Sequence, residues 1–387
     1  MSTKKKSIKK KSNKKTSKKK SNKRMVSRKT KSIYVSRTEY NTKNNYKLFK
    51  NDSENNYIAV HSDGTKDVYK IYQIEKNKYS NYIYEQPAIV SIIENDSYIQ
   101  YTLKKGYYYE KHLIMIAAQF LKPGDVVLDI GTNVGCVTIP LSKIVGNKGR
   151  IHSFEPFLKT RISLEYNIKV NNLKNVTLHK EAVGHTLMKT SLANKTTEFT
   201  LVEAKYVKHV PIGKNITING KKYIEEKRQL DTKSKNNYGA VQLGKGGPMV
   251  EMITIDSLNL KRVDLIKVDI EGSEPLMFYG ASNTIRTYKP IIIFEHNHLK
   301  LNDDMIEIMK PSIDVQNFNI VQFCKTLGYN KIIEIETGGN YVLLPEGKER
   351  TLNDPRVNWE RVDDLPKIKN FGLDGLELFK YIKNEKW

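Results

Sequence analysis

From about residue 107 onward, apolar positions fall into two alternating patterns. Nearly unbroken apolar runs, such as Val126-Val127-Leu128-Asp129-Ile130 and Ile291-Ile292-Ile293-Phe294, are bounded by glycine, proline or charge. They read as strands of a parallel sheet covered on both faces. Between them apolar residues recur at helical spacing, as in Leu113, Ile114, Ile116, Ala117 and Phe120. The pattern predicts a helix over 110–121, a strand over 126–130, a helix over 134–144, a strand over 150–156, a helix over 158–172 and a strand over 176–183. Pro140 should kink the second of these helices, because it lacks one backbone donor. The alternation resumes with 252–258, a strand over 263–270, a helix over 274–286, a strand over 290–295 and a helix over 315–327 that ends at Gly328. Two strands, 331–335 and 340–344, follow with Gly338-Gly339 between them as a hairpin signal. Strand–helix repetition of this kind makes an α/β domain with a mostly parallel sheet, here closed by an antiparallel hairpin.

The flanks behave differently. Residues 33–106 carry short Tyr- and Ile-rich runs (57–60, 68–72, 88–93 and 98–101) separated by turn formers, which predicts a β-rich N-terminal extension. Residues 184–249 lose periodicity, with short strands predicted at 216–218 and 240–243. A stretch that long is read as an insertion that lines the site. The domain spans 107–345, and 346–387 form a C-terminal extension.

Charge changes the picture mainly at one end. The net charge is +24, and 16 of the 66 Lys and Arg lie in residues 1–31, which hold no Asp or Glu; the remaining 356 residues carry +8. Residues 1–32 are too polar to bury a core and are expected to be a disordered Lys-rich tail. Such a tail suits contact with a polyanion or a nuclear-type address. Two cysteines, Cys136 and Cys324, suggest no disulfide framework and a reducing compartment. No apolar run approaches the roughly 20 residues of a membrane span, and the basic N-terminus lacks a signal peptide's apolar stretch. The expectation is a soluble intracellular protein, cytoplasmic unless the tail directs it to a nucleus or a particle.

Candidate chemistry begins where the strand over 126–130 meets a glycine turn, Asp129-x-Gly131-x-Asn133-x-Gly135. The four-residue spacing of the glycines departs from the dinucleotide pattern G-x-G-x-x-G. Glu155 ends the next strand, where a carboxylate accepts both hydroxyls of a ribose. Strand, glycine turn, helix, strand and terminal acid make a nucleoside-binding half-site.

These residues carry a resemblance. Val127 to Gly135, Phe154-Glu155-Pro156, Ile255-Asp256-Ser257-Leu258, Val263 to Glu274 and Pro290 to Glu295 together resemble the FkbM family of S-adenosylmethionine-dependent methyltransferases. Lys267-Val268-Asp269-Ile270-Glu271-Gly272 is the most specific part. The resemblance implies a class I methyltransferase-like (Rossmann-like), mostly parallel seven-stranded sheet, with S-adenosylmethionine as cofactor. It implies that Asp129, Gly131, Asn133 and Gly135 cradle the methionine part, that Glu155 takes the ribose, that Glu181 approaches the adenine, and that Tyr109-Glu110 approach the same pocket. Thr132 departs from the family's usual alanine, and the 184–249 insertion is a further departure. Family members mostly methylate hydroxyl groups, often on sugars or polyketide-type products.

Methyl transfer needs an aligned acceptor oxygen and a group to take its proton. Asp269 lies at the carboxyl end of its strand, on the ligand side of such a sheet. Glu271 follows it, and Lys267 is one pleat back on the same face. His296 and His298 follow the next strand, where an imidazole suits a general base. Asp269, Glu295 and His296 could together hold a cation, but nothing in their spacing requires a metal, and none is expected. The expected function is O-methylation of a glycan or other small hydroxylated acceptor. The rivals are an RNA methyltransferase recruited by the tail and a non-catalytic, particle-associated protein keeping the fold; a nicotinamide enzyme is disfavoured by the glycine spacing.

Overall fold

The computed structural model describes residues 39–41, 46–51, 55–74, 86–94, 96–193, 199–203, 215–218, 221–227, 237–295, 307, 319–335, 340–346 and 368–372. The tail 1–32 and most of 346–387 lie outside these residues. The first strands, β1 (Glu39–Asn41), β2 (Tyr46–Asn51), β3 (Asn56–His61), β4 (Lys66–Ile74) and β5 (Ala88–Ile93), pair antiparallel in chain order as a meander. Two helices follow, α1 (Ser97–Lys104) and α2 (Lys111–Phe120), and then the alternating core: β6 (Val126–Ile130), α3 (Thr138–Val145), β7 (Arg150–Phe154), α4 (Leu158–Val170) and β8 (Val176–His179).

The meander is bound to the core by tyrosines. Tyr46, Tyr57 and Tyr69 are buried with Ile162, Tyr166 and Val170 of α4, and the Tyr57 ring stacks on Tyr69 at 4.9 Å and on Tyr166 at 4.7 Å. Buried amides complete the join. Asn167 Oδ1 accepts from Ser91 N–H at 2.6 Å, while its Nδ2 donates to Ser91 O at 3.0 Å and Val134 O at 2.8 Å. One α4 side chain thus ties β5 to the glycine turn.

The chain continues through β9 (Ala182–Val183), β10 (Met188–Ala193), β11 (Phe199–Glu203), β12 (Asn215–Ile218), β13 (Lys221–Lys227) and β14 (Gly246–Ile253). β10, β14 and β9 form one small sheet, and β11, β13 and β12 another. It then completes the core with β15 (Leu265–Val268), α5 (Glu274–Gly280), α6 (Ser282–Tyr288), β16 (Ile291–Glu295), α7 (Ile320–Thr326), β17 (Tyr329–Ile335), β18 (Asn340–Pro345) and β19 (Ile368–Gly372). The main sheet runs β19-β17-β18-β16-β15-β6-β7-β8, parallel from β16 to β8, with β18 antiparallel between β16 and β17. This is the class I methyltransferase order, a parallel core closed by an antiparallel hairpin, with β19 added at the edge. One side of the sheet packs on α2 and α3 and the other on α5, α6 and α7, so β6, β15 and β16 are buried on both faces.

Several predicted elements need correction. Residues 98–101 belong to helix α1, because Asp96 caps it by accepting from Ile99 N–H at 3.4 Å. The third core strand stops at His179, and Ala182–Val183 instead pair with β14. Residues 240–243 are no strand: Tyr238–Ala240 is a single 3-10 turn, and Leu243 makes only an isolated bridge. The helix predicted over 274–286 is two helices, broken where Gly280 packs against the Gly184 carbonyl; a Cβ there would lie 1.9 Å from that oxygen. Pro140 produces no kink, since α3 starts at Thr138 and leaves the proline in its first turn, where a backbone donor has no intrahelical partner.

Candidate functional site

The turn after β6 is shaped by the neighbouring strand end. Gly131 has φ 78°, and a Cβ there would lie 1.7 Å from the Asp269 carbonyl oxygen, so only glycine allows this approach. Asn133 follows in the left-handed region at φ 54°. Its N–H donates to Glu155 Oε2 at 2.7 Å, and the Phe157 N–H donates to Glu155 Oε1 at 3.0 Å. A carboxylate has about four acceptor positions, so Glu155 keeps capacity for ribose hydroxyls. Burial lifts its pKa above the usual value, against the pull of these backbone bonds. Arg161 Nη1 donates to the carbonyls of Glu155 at 3.0 Å and Pro156 at 2.6 Å and pins the strand end. Thr132, 4% exposed, donates from Oγ1 to Asp129 O at 2.7 Å and accepts from Phe154 N–H at 3.2 Å. The hydroxyl that departs from the usual alanine therefore serves as a bridge from β6 to β7.

The ends of β15 and β16 are acidic. Lys267, 3% exposed, places Nζ 3.2 Å from Gly131 O, 3.4 Å from Asp269 Oδ2 and 3.9 Å from Asp129 Oδ1. Burial alone would lower its pKa; Asp269, Glu110, Asp129 and Glu295 outweigh it and hold the ammonium charged. Asp129 is wholly buried and accepts from Thr138 Oγ1 at 2.5 Å. The carboxylates of Asp269, Glu271 and Glu295 lie within 4.8 Å of one another, a grouping that could hold a cation. Burial, then Asp269, pushes Glu295 up to about 11, and the same causes raise Glu271 well above its usual value. Glu110 is raised to about 7, by burial first, with Lys267 opposing and Asp269 and Asp129 adding. The Asp269 charge beside Glu295 disfavours a second ionised carboxylate there.

Two of these acids are held in unusual backbone conformations, Glu110 at φ 57° and Glu271 at φ 54°. Left-handed glutamates cost roughly 1–2 kcal/mol each, and such strain clusters where function demands it.

The structure brings Asp129, Gly131, Asn133 and Glu155 together around the β6–β7 end, and Glu110, Lys267, Asp269 and Glu271 around the β15–β16 end. Gly135 serves helix packing, since a Cβ there would lie 2.7 Å from Leu164. Glu181 stands between β8 and β9, where its charge acts on Arg161 and His179. His296 and His298 lie outside the described residues. Arg161 and Thr138 were missed by the sequence pattern; only Arg161 leaves a local signal, as a basic residue one turn into the helix after Glu155. Residues 237–243, from the insertion, also reach the site.

The Methyltransferase FkbM domain profile matches residues 129–330, just over half of the chain. The chain belongs to the FkbM methyltransferase family. A second profile, protein-L-isoaspartate(D-aspartate) O-methyltransferase, matches residues 43–185. No curated protein matches the chain. Among solved structures, Methyltransferase FkbM from Methylobacillus flagellatus KT is 15% identical, over 58% of this chain and 44% of that one, with a TM-score of 0.34. This chain thus spans less than half of that protein's length. Precorrin-6y C5,15-methyltransferase from Geobacter metallireducens GS-15 is 13% identical over 63% of this chain and 95% of that one, at a TM-score of 0.29. Aeropyrum pernix fibrillarin, in complex with natively bound S-adenosyl-L-methionine, is 11% identical over 77% and 97%, at 0.28.

S-adenosylmethionine is the cofactor of an FkbM domain, and the residues of this one fit it. Glu155 accepts from two backbone N–H groups and has acceptor capacity left for hydroxyl donors. Asp129 Oδ1 and Asn133 Oδ1 are buried acceptors without a hydrogen bond. The excess of carboxylates over Lys267 suits a ligand that brings sulfonium and ammonium charges.

Proposed function

We propose that this FkbM domain is an O-methyltransferase acting on a hydroxyl of a glycan or another small hydroxylated acceptor. The observation that carries the reading is the carboxylate group around Lys267 at the ends of β15 and β16, next to the glycine turn. The cofactor, when bound, supplies an electrophilic methyl carbon. Asp129, Gly131 and Asn133 bind its methionine part, Glu155 its ribose, and Glu181 stands on the adenine side. Asp269 orients the acceptor hydroxyl and Lys267 holds Asp269 in place. Glu110, with a pKa of about 7, is matched to take up a proton near neutrality; Glu271 and Glu295 complete the acid wall, and His296 is a further candidate base.

The same acid wall disfavours a nucleic-acid acceptor, because its one cation, Lys267, is buried among carboxylates and offers a phosphate backbone no counter-charge. The Lys-rich run 1–32 then serves polyanion contact away from the chemistry. No helix among the described residues is long and apolar enough to cross a membrane, and both cysteines are free and buried, in keeping with work in a reducing intracellular compartment.

A labelled methyl-donor screen against glycans, RNA and small hydroxylated metabolites tests the reading. Transfer to a hydroxylated small acceptor is expected, and Asp269→Asn should reduce it by about a hundredfold, the scale of a misplaced reacting group. Transfer to RNA alone, lost on deleting residues 1–32, would replace this reading. Full turnover by Asp269→Asn would remove Asp269 from it.

A further inference from the structure

The described part of the insertion that reaches the site does so through consecutive residues. Asn237 Oδ1 accepts from Gly239 N–H at 3.2 Å and starts the 3-10 turn Tyr238–Ala240. The Tyr238 ring lies 6.3 Å from that of Phe157, inclined by 24°, with Lys159 Nζ 5.7 Å away. A Cβ on Gly239 would lie 2.6 Å from Asn133 Nδ2. Phe157 and Asn133 are the two residues whose N–H groups grip Glu155. Three residues on, Gln242 Nε2 donates to Glu271 O at 3.0 Å, at one of the two left-handed glutamates. The segment is itself anchored on β10, where Ala193 N–H donates to Gln242 O at 2.8 Å and Leu192 bridges to Leu243.

We infer that residues 238–242 form a clasp across the crevice, with Tyr238 and Gly239 setting Phe157 and Asn133, whose N–H groups hold the Glu155 carboxylate for the ribose, and Gln242 anchoring the clasp at Glu271. The inference rests on the cofactor reading above and adds to it a partner from outside the strand–turn–helix core. Gly239 is a positioning residue that acts through Asn133. A methyl group at Gly239 meets the far end of the Asn133 side chain at 2.6 Å, with Asn237 Oδ1 next at 3.4 Å, so Gly239→Ala displaces the Asn133 amide first and touches no core side chain.

Calorimetry of S-adenosylhomocysteine with the full chain tests this. Gly239→Ala should weaken binding by about tenfold, the scale of one displaced polar contact, with thermal unfolding of the ligand-free chain unchanged. The penalty should vanish in an Asn133→Ala background, because the two side chains then no longer meet. Tyr238→Ala should weaken binding to a similar degree. In the wild-type chain, adding S-adenosylhomocysteine should slow amide hydrogen exchange at residues 239–243. Wild-type affinity in folded Gly239→Ala and Tyr238→Ala, or exchange at 239–243 that ignores the ligand, overturns the clasp while leaving the cofactor reading intact. If the wild-type chain bound no S-adenosylhomocysteine, both would fall together.

Discussion

At the β6–β7 end of the crevice Glu155 is gripped by two backbone N–H groups, and Arg161 fixes the carbonyls beside it. At the β15–β16 end Asp269, Glu110, Asp129 and Glu295 all depend on one ammonium, that of Lys267. The first arrangement is made of hydrogen bonds in fixed directions, which suits recognition of neutral hydroxyls. The second is made of charges too many for their counter-ion, so its protonation state must change with pH and with any cation that enters. Removing charge at the acid end should therefore act strongly and pH-dependently, and removing an uncharged hydrogen bond at the other end weakly and independently of pH.

The largest effect is expected at Lys267. Lys267→Met fits the buried stem but leaves Asp129 and Asp269 without their ammonium. Removing one partner of a buried ion pair costs about 3–5 kcal/mol. Chemical denaturation at pH 7 should show a loss of that size. It should shrink towards pH 4, because burial already raises the Asp129 pKa and a protonated Asp129 no longer needs a cation. A loss that stayed constant from pH 4 to 8 would mean that Lys267 acts by packing, and the contrast between the two ends would fail.

Glu110 gives the opposite sign. Its pKa is raised from 4.5 to about 7 in the folded chain. Below about pH 4.5 it is protonated in both states and costs nothing. Between 4.5 and 7 the unfolded chain ionises it and the folded chain does not. The folded state then holds the extra proton, and stability falls as pH rises through that window. Above 7 the full cost remains, up to about 3 kcal/mol for a shift of this size. Glu110→Gln should therefore be more stable than wild type at pH 8 and equal to it at pH 4, as read by unfolding across that range. It should also bind S-adenosylmethionine more weakly, a trade of activity against stability common at functional sites. Equal stability of variant and wild type at pH 8 would show that the acid end is not strained by its charge.

How much of this was legible in the chain follows the same division. β6, β15 and β16 read correctly because strands buried on both faces leave nearly unbroken apolar runs. The glycine spacing and Glu155 stand within one strand–helix–strand unit, so local pattern suffices to find them. The acid end draws on residues 110, 129, 267, 269, 271 and 295; neighbouring strand ends suffice to bring Asp269 and Glu295 together, but no local pattern announces that Glu110 and Asp129 join them around Lys267. Protonation states are properties of that meeting and appear only with the fold. The misread elements share a cause: residues 98–101 and 240–243 are short apolar or mixed runs whose state is decided by Asp96 as a cap and by Asn237 as a turn former. The reach of residues 238–242 into the site was hidden because the insertion has no periodicity to follow.

The smallest effect, and the sharpest test of the contrast, lies at Thr132. Its hydroxyl donates to Asp129 O and accepts from Phe154 N–H, so it joins β6 to β7 beneath the glycine turn without carrying charge. Thr132→Val keeps the volume and removes both bonds, leaving a buried N–H and a carbonyl less well satisfied. The cost should be about 1–2 kcal/mol, the range for leaving a buried polar group unpaired. Because neither bond involves a titrating group, the loss should be the same at pH 5 and pH 8 and insensitive to salt, which screens charges. Unfolding measured at both pH values decides it. A Thr132→Val penalty that moved with pH would mean that the acid end is felt through Asp129 at the turn, and that the two ends of the crevice are coupled through one buried carboxylate.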